Sequence, residues 1–206
     1  WQQEILTAKK SGLDGFFVDL IADPKGGATV YVSMMGAMLK AAEGTDFQIG
    51  ACLDAKTNVA QQVRELKKIL DSYAKHPNYP HWNGKPVVAT YTYTKWTPDE
   101  LAAIRAGIKS EGYDIFLIGN IAVRFQKINE KKLLPYVEAA DMIYPFELME
   151  VNESSISDNN TGYRKLAQKC GKELMVTIYP GYYGGWLSGS NDFYQVHCGF
   201  DQAHRC

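Results

Sequence analysis

Several familiar signatures are missing from this chain of 206 residues. Its four cysteines, Cys52, Cys170, Cys198 and Cys206, form no Cys-x-x-Cys pair, which leaves a zinc ribbon or a thioredoxin-type redox site without support. His76, His81, His197 and His204 make no His-x-x-x-His pair with an acid between, so no metal site is expected. No Gly-x-Gly-x-x-Gly follows the first expected strand and no Gly-x-x-x-x-Gly-Lys occurs, so nucleotide-binding folds lose their main support. There is no Gly-x-Ser-x-Gly elbow for an α/β-hydrolase triad. A net charge of −1 without a basic block argues against nucleic acid or an anionic membrane as the main partner. No apolar run approaches the roughly 20 residues of a membrane span.

What remains is a globular composition, 46% hydrophobic and 22% charged, which can bury a core. Its 13 tyrosines and 4 tryptophans suit a sugar-binding cleft, although the same rings also build cores and interfaces. Cys52 falls inside an apolar strand and reads as a small buried hydrophobe. Two sequons, Asn152-Glu-Ser154 and Asn159-Asn-Thr161, make Asn152 and Asn159 candidate glycosylation sites and point to secretion.

Apolar spacing and breakers divide the chain into alternating helices and strands. A helix over Trp1 to Ser11 ends at Gly12, and a strand follows over Asp14 to Leu20. A Met-rich helix, Thr29 to Glu43, precedes the strand Phe47 to Asp54, and an amphipathic helix, Thr57 to Lys75, comes next. His76-Pro77 stops that helix, Asn83-Gly84 is a turn, and Pro86 to Tyr93 reads as a strand with an apolar start and a hydroxyl-rich, aromatic end. Thr97-Pro98-Asp99-Glu100 starts a helix to about Glu111, before the strand Tyr113 to Asn120. A short helix interrupted at Pro135, a strand Ala140 to Phe146, a polar loop Val151 to Asn160, a helix Thr161 to Lys169 and a strand Glu173 to Tyr179 complete the pattern. The Gly-rich aromatic loop Pro180 to Ser190 then leads into a last helix.

Six strands at roughly 30-residue intervals, each followed by a helix, predict a parallel sheet. The first visible element is a helix feeding a strand. That favours a (β/α)8 TIM barrel with strands 2–7 present, the first and last strands lying outside residues 1–206, over a complete doubly wound sheet. In either architecture ligands collect at the carboxyl ends of the strands. Reading off those ends gives Asp19, Asp54, Tyr93, Asn120, Tyr144, Glu147 and Tyr182, with Trp186 nearby. Acids across a cleft suit glycosidic bond cleavage; a strand-end Asp can equally cap the next helix. Glu147 and Glu150 are spaced three apart, as on one helix face.

Several segments resemble glycoside hydrolase family 71, the α-1,3-glucanases or mutanases. They are Trp1-Gln2 leading into Ala8-x-x-x-Gly12-Leu-Asp-Gly-Phe-Phe, the strand ending at Asp54, His76-Pro-Asn-Tyr followed by Asn83-Gly-Lys-Pro-Val-Val, and Tyr179-Pro-Gly-Tyr-Tyr. The His-Pro-x-Tyr and Gly-Lys-Pro-Val pieces also resemble family 99, the endo-α-mannosidases, more weakly. The resemblance spans nearly the whole chain. It implies a (β/α)8 barrel and an inverting hydrolase without a cofactor, acting on a polysaccharide or oligosaccharide. It also implies that the main acid pair, an Asp-x-x-Glu segment after the eighth strand, lies beyond Cys206, so that these 206 residues alone are inactive. Glu147 and Glu150 imitate that spacing after a different strand and are not given its role. Asp54 matches a strand-end acid of the cleft, whereas Asp19 stands where the family leads one to expect asparagine, and Thr90 to Tyr93 also departs from the pattern. The rival expectation is a barrel that binds carbohydrate without cleaving it.

Overall fold

The computed structural model describes residues 1–21, 29–54, 56–91, 93–121, 129–145, 153–176, 182–183 and 193–194. They fall into two compact units, Trp1–Asn120 with Ala139–Asp141, and Ile121–Glu138 with Met142–Cys206.

In the first unit, helix α1 (Gln2–Lys10) buries Ile5 and Ala8 and leads to β1 (Gly15–Leu20). The chain turns at Gly12, whose φ of +82° is open to glycine and strained for other residues. Helix α2 (Thr29–Ala42) buries Met35, Met38 and Leu39, so the Met-rich stripe is core. After β2 (Gln48–Leu53) comes α3 (Val59–Tyr73), capped by Asn58, whose side chain accepts the Gln61 N–H at 2.9 Å. Strands β3 (His81–Trp82) and β4 (Lys85–Thr90) form a hairpin about Asn83-Gly84. Both turn residues have positive φ, 51° and 77°, the geometry that Asn-Gly favours between antiparallel strands. A 3-10 turn (Tyr93–Lys95), helix α4 (Pro98–Ser110) and β5 (Phe116–Asn120) follow. Helix α4 starts after Thr97, as the sequence predicts, and Thr97 and Glu100 close a reciprocal capping box there.

Strands β1, β2, β4 and β5 are neighbours in that order and all parallel. Alternation along each strand divides the sheet into two faces. Leu53, Thr90 and Leu117 line a small cavity with Leu66 of α3 and with Leu101 and Ile104 of α4, so their face looks at the helices. Asp19, Cys52, Ala89 and Ile118 are paired in register across the other face.

The second unit holds most of α5 (Glu130–Ala139), then β6 (Met142–Tyr144), α6 (Glu153–Lys169) and β7 (Glu173–Leu174), with β6 and β7 parallel. Strands β8 (Tyr182–Tyr183) and β9 (Phe193–Tyr194) form a short antiparallel pair.

Several expected boundaries are corrected. The strand expected over Pro86 to Tyr93 ends at Thr90; Tyr91 still donates its N–H to the Leu53 carbonyl at 2.9 Å, and the chain then turns into the 3-10 segment. Helix α5 continues through Pro135. The proline removes one N–H there, but Leu133 and Val137 on either side are buried and hold the helix in place. The polar loop expected over Val151 to Asn160 is helical from Glu153 onward. Its Ser, Asp and Asn residues disfavour helix locally, but the buried Tyr163, Leu166 and Ala167 anchor a helix that propagates back through them. The strands expected from Tyr113 and Ala140 begin later, at Phe116 and Met142.

Candidate functional site

Because β1 and β2 are parallel, their carboxyl ends lie side by side. Asp19 pairs in register with Cys52, Leu20 pairs with Leu53, and the N–H of Asp54 donates to the Leu20 carbonyl at 3.2 Å. Asp19 and Asp54 are therefore diagonal neighbours on the face turned away from the helices. Two carboxyl groups at the ends of adjacent strands disfavour each other's ionisation.

The electrostatics agree. Asp19 retains solvent access, yet partial burial first, and the Asp54 charge and hydrogen bond second, push its carboxyl up to about 6. Burial also raises Asp54, but the Lys95 ammonium and the hydrogen bond from Asp19 both pull it back toward the charged form. Lys95 stands in the 3-10 turn after β4, and neighbouring residues pin that turn. Lys56 Nζ donates to the Lys95 carbonyl at 3.0 Å and to Glu100 Oε2 at 2.9 Å, and lies 5.1 Å from the centre of the Trp96 ring. Glu100 also accepts the Thr97 N–H at 2.8 Å, so the cap of α4 helps to fix the turn that carries Lys95.

Of the residues singled out from sequence, three share this end and face: Asp19, Asp54 and Asn120. Asn120 is buried at the end of β5, and its Nδ2 donates to the Tyr91 carbonyl at 3.1 Å. It thus shapes the end of the neighbouring strand. Tyr93 does not join them. Its ring covers Gly119, which pairs with Thr90 on the helix-facing side, and the residue is 0% exposed. Its placement in a strand end was an error of strand length: alternation from Ala89 puts Tyr91, half-buried, on the carboxylate face instead. Tyr144 is half-buried in the second unit, where its carbonyl accepts the Ile121 N–H at 3.0 Å. Tyr182 takes part in β8 through its backbone. Asn159 falls within α6. Glu147, Asn152 and Trp186 lie outside the described residues. Sequence reasoning missed Lys95 because a three-residue 3-10 turn has no periodic signature.

The motif His76-Pro77-Asn78-Tyr79 has a different job. Asn78 is 2% exposed, and its Nδ2 reaches the carbonyls of Ala42, Thr45 and Phe47 at 3.1, 2.9 and 2.9 Å. Its own carbonyl accepts the Ile49 N–H at 2.8 Å. The Tyr79 hydroxyl donates to the Val87 carbonyl at 2.9 Å. All these contacts gather at the amino ends of β2 and β4, the end that stabilises a parallel α/β fold while the opposite end binds.

Carboxyl oxygens at this end of the sheet suit accepting hydrogen bonds from sugar hydroxyls. Among the described residues no group of three His, Cys, Asp or Glu could hold a metal ion. No described helix is long and apolar enough to cross a membrane.

Comparisons with known proteins follow the same lines. No curated protein sequence matches the chain. Among solved structures, it is similar to the GH99 endo-alpha-mannosidase from Bacteroides thetaiotaomicron in complex with bis-tris-propane, with a TM-score of 0.71 at 20% identity over 95% of this chain and 60% of that one. A second structure of the mannosidase from that organism gives a TM-score of 0.69 at 19% identity over 93% and 57% of the two chains. A glycoside hydrolase-like protein gives 0.67 at 15% identity over 97% and 68%. At these identities the likeness shows the fold, a (β/α)8 barrel of which this chain forms part. The chain spans 60% or less of the length of the two mannosidase chains. The family model of glycosyl hydrolase family 71 matches residues 1–196, and the chain therefore belongs to glycosyl hydrolase family 71.

Proposed function

We propose that the protein carrying this chain hydrolyses an α-linked polysaccharide of the α-1,3-glucan type, with Asp54 accepting hydrogen bonds from sugar hydroxyls in the cleft. The observation that carries this reading is the carboxyl pair Asp19–Asp54 at the carboxyl ends of adjacent parallel strands. Family membership supports the reaction class, and the pair supports the place. Bond cleavage is assigned to a separate pair of carboxyls, the Asp-x-x-Glu segment that the family resemblance places after the eighth strand. The sequons at Asn152 and Asn159 support a secreted, glycosylated protein.

The test is release of reducing sugar from α-1,3-glucan by the full-length protein, with α-1,4-glucan and α-mannan as controls. Asp54→Ala is expected to lower kcat/KM on the glucan about 10- to 100-fold, the range for losing a hydrogen bond to a charged group. Glucan binding without release of reducing sugar would move the protein to the carbohydrate-binding alternative. Equal or greater activity on α-mannan would overturn the choice of substrate.

A further inference from the structure

We propose that Lys56 is a positioning residue for Asp54: it ties the connection that leaves β2 to the turn that leaves β4, and so holds the strand-end acid in place for a sugar hydroxyl. The inference deepens the reading of the cleft given above and rests on it. Lys56 follows Asp54 by two residues and belongs to no helix or strand. Its ammonium nevertheless has three anchors, all on one other segment. Nζ donates to the Lys95 carbonyl at 3.0 Å and to Glu100 Oε2 at 2.9 Å, and it lies 5.1 Å from the centre of the Trp96 ring. The anchors are themselves fixed. Trp96 is buried and its N–H donates to the Tyr93 carbonyl at 3.2 Å, while Glu100 is held by the Thr97 N–H in the cap of α4.

These bonds bracket Asp54. Just before it, the Leu53 carbonyl accepts the Tyr91 N–H at 2.9 Å; at the residue itself, the Asp54 N–H donates to the Leu20 carbonyl at 3.2 Å. Just after it, Lys56 crosses to the segment that continues from Tyr91. The chain is therefore fastened on both sides of the acid to the connection after β4. A binding group held in this way has less freedom to lose when a ligand arrives, and that saving is what pre-organisation contributes to affinity. Stability gains little from the same contacts. The Lys56 and Glu100 side chains are 35% and 33% exposed, and an ion pair so open to water adds little to folding. What a carbonyl, a carboxylate and a ring face give together is direction: one ammonium satisfies all three from one place.

The test compares the full-length wild type with Lys56→Met, Lys56→Arg, Asp54→Ala and the double variant Lys56→Met/Asp54→Ala. Met keeps the length of the side chain without its charge, and Arg can still reach a carbonyl, a carboxylate and a ring face. Calorimetric binding of an α-1,3-linked gluco-oligosaccharide is read beside the melting temperature. Lys56→Met is expected to weaken binding about three- to tenfold, the scale of ordering one or two more groups on association, with the melting temperature nearly unchanged. Lys56→Arg should restore the affinity. In the Asp54→Ala background Lys56→Met should have no further effect, because no acid is left to position. Wild-type affinity in Lys56→Met, with Asp54→Ala weakened, overturns the positioning role and leaves the reading of the cleft standing. The same loss from Lys56→Met with and without Asp54 overturns it too, as does a loss that Lys56→Arg does not repair. A wild type that does not bind the oligosaccharide, or that binds it equally well after Asp54→Ala, removes the reading of the cleft and the positioning role with it.

Discussion

The ring of Tyr93 occupies the space that a side chain at Gly119 would need: a β-carbon there would lie 2.7 Å from both Cδ1 and Cε1 of the ring. This contact assigns the aromatic end of β4. Tyr93 belongs to the packing between sheet and helices, and Tyr91 belongs to the carboxylate face. Gly119→Ala is therefore expected to lower stability by about 1–3 kcal/mol, the usual cost of overfilling a packed site. Chemical denaturation reads it, and an unchanged midpoint would show that the ring can move aside at no cost.

Asn78 holds three carbonyls from the chain between α2 and β2. Asn78→Ala leaves buried acceptors without a donor and is expected to cost about 2–3 kcal/mol. Tyr79→Phe, which loses the hydroxyl's bond to the Val87 carbonyl, should cost about 1 kcal/mol. Urea midpoints of the two variants check the order; a larger loss for Tyr79→Phe would contradict the clasp.

The carboxyl pair also predicts how stability depends on pH. Folding raises the Asp19 carboxyl from 3.8 to about 6, so between those values the folded state binds more protons than the unfolded state. Stability from this group is then highest at low pH and falls as pH rises from about 4 to 6. Asp19→Asn cannot ionise. It should remove this fall and raise the melting temperature relative to the wild type at pH 7 more than at pH 4. Equal differences at both pH values would contradict the raised carboxyl.

Thr97 closes the capping box of α4 together with Glu100, and Glu100 in turn holds Lys56 against the turn that carries Lys95. Thr97→Ala is expected to cost about 1 kcal/mol. If the cap also steadies the Lys95 charge that lowers Asp54, the Asp54 carboxyl will titrate higher in the same variant. A stability loss with no shift would show the cation to be held by other contacts.

Much of the architecture was legible because its signals are local. Thr97-Pro98 with Glu100, the Asn83-Gly84 turn and the glycines at 12, 44, 112 and 171, all at positive φ, mark ends that each segment determines for itself. The six expected strands follow one another along the chain in the expected order, parallel among β1, β2, β4 and β5 and between β6 and β7. The end of β4 was not legible, because Thr and Tyr suit a strand and a 3-10 turn alike, and two extra residues turn a side chain toward the same face while the backbone has already left the sheet. The start of α6 was not legible either, since residues 153–160 resist helix locally and yield to the burial of Tyr163 and Leu166 further along. In the candidate site, Asp19 and Asp54 were found by their place at strand ends. Their juxtaposition and the effect of the Lys95 charge on Asp54 needed register and three-dimensional proximity, which spacing along one chain does not encode.

The Asn78 clasp meets β2 at Ile49, and Asp54 follows five residues later, about 16 Å along an extended strand. At that separation two perturbations add with little coupling. The double variant Asn78→Ala/Asp54→Asn should thus lose stability by the sum of its two single effects, while a glucan affinity altered at position 54 carries over unchanged. Evolution, or an engineer, can retune the rim for a new sugar while the foot of the barrel keeps the scaffold standing, and can trade firmness at the foot without rewriting what the rim recognises.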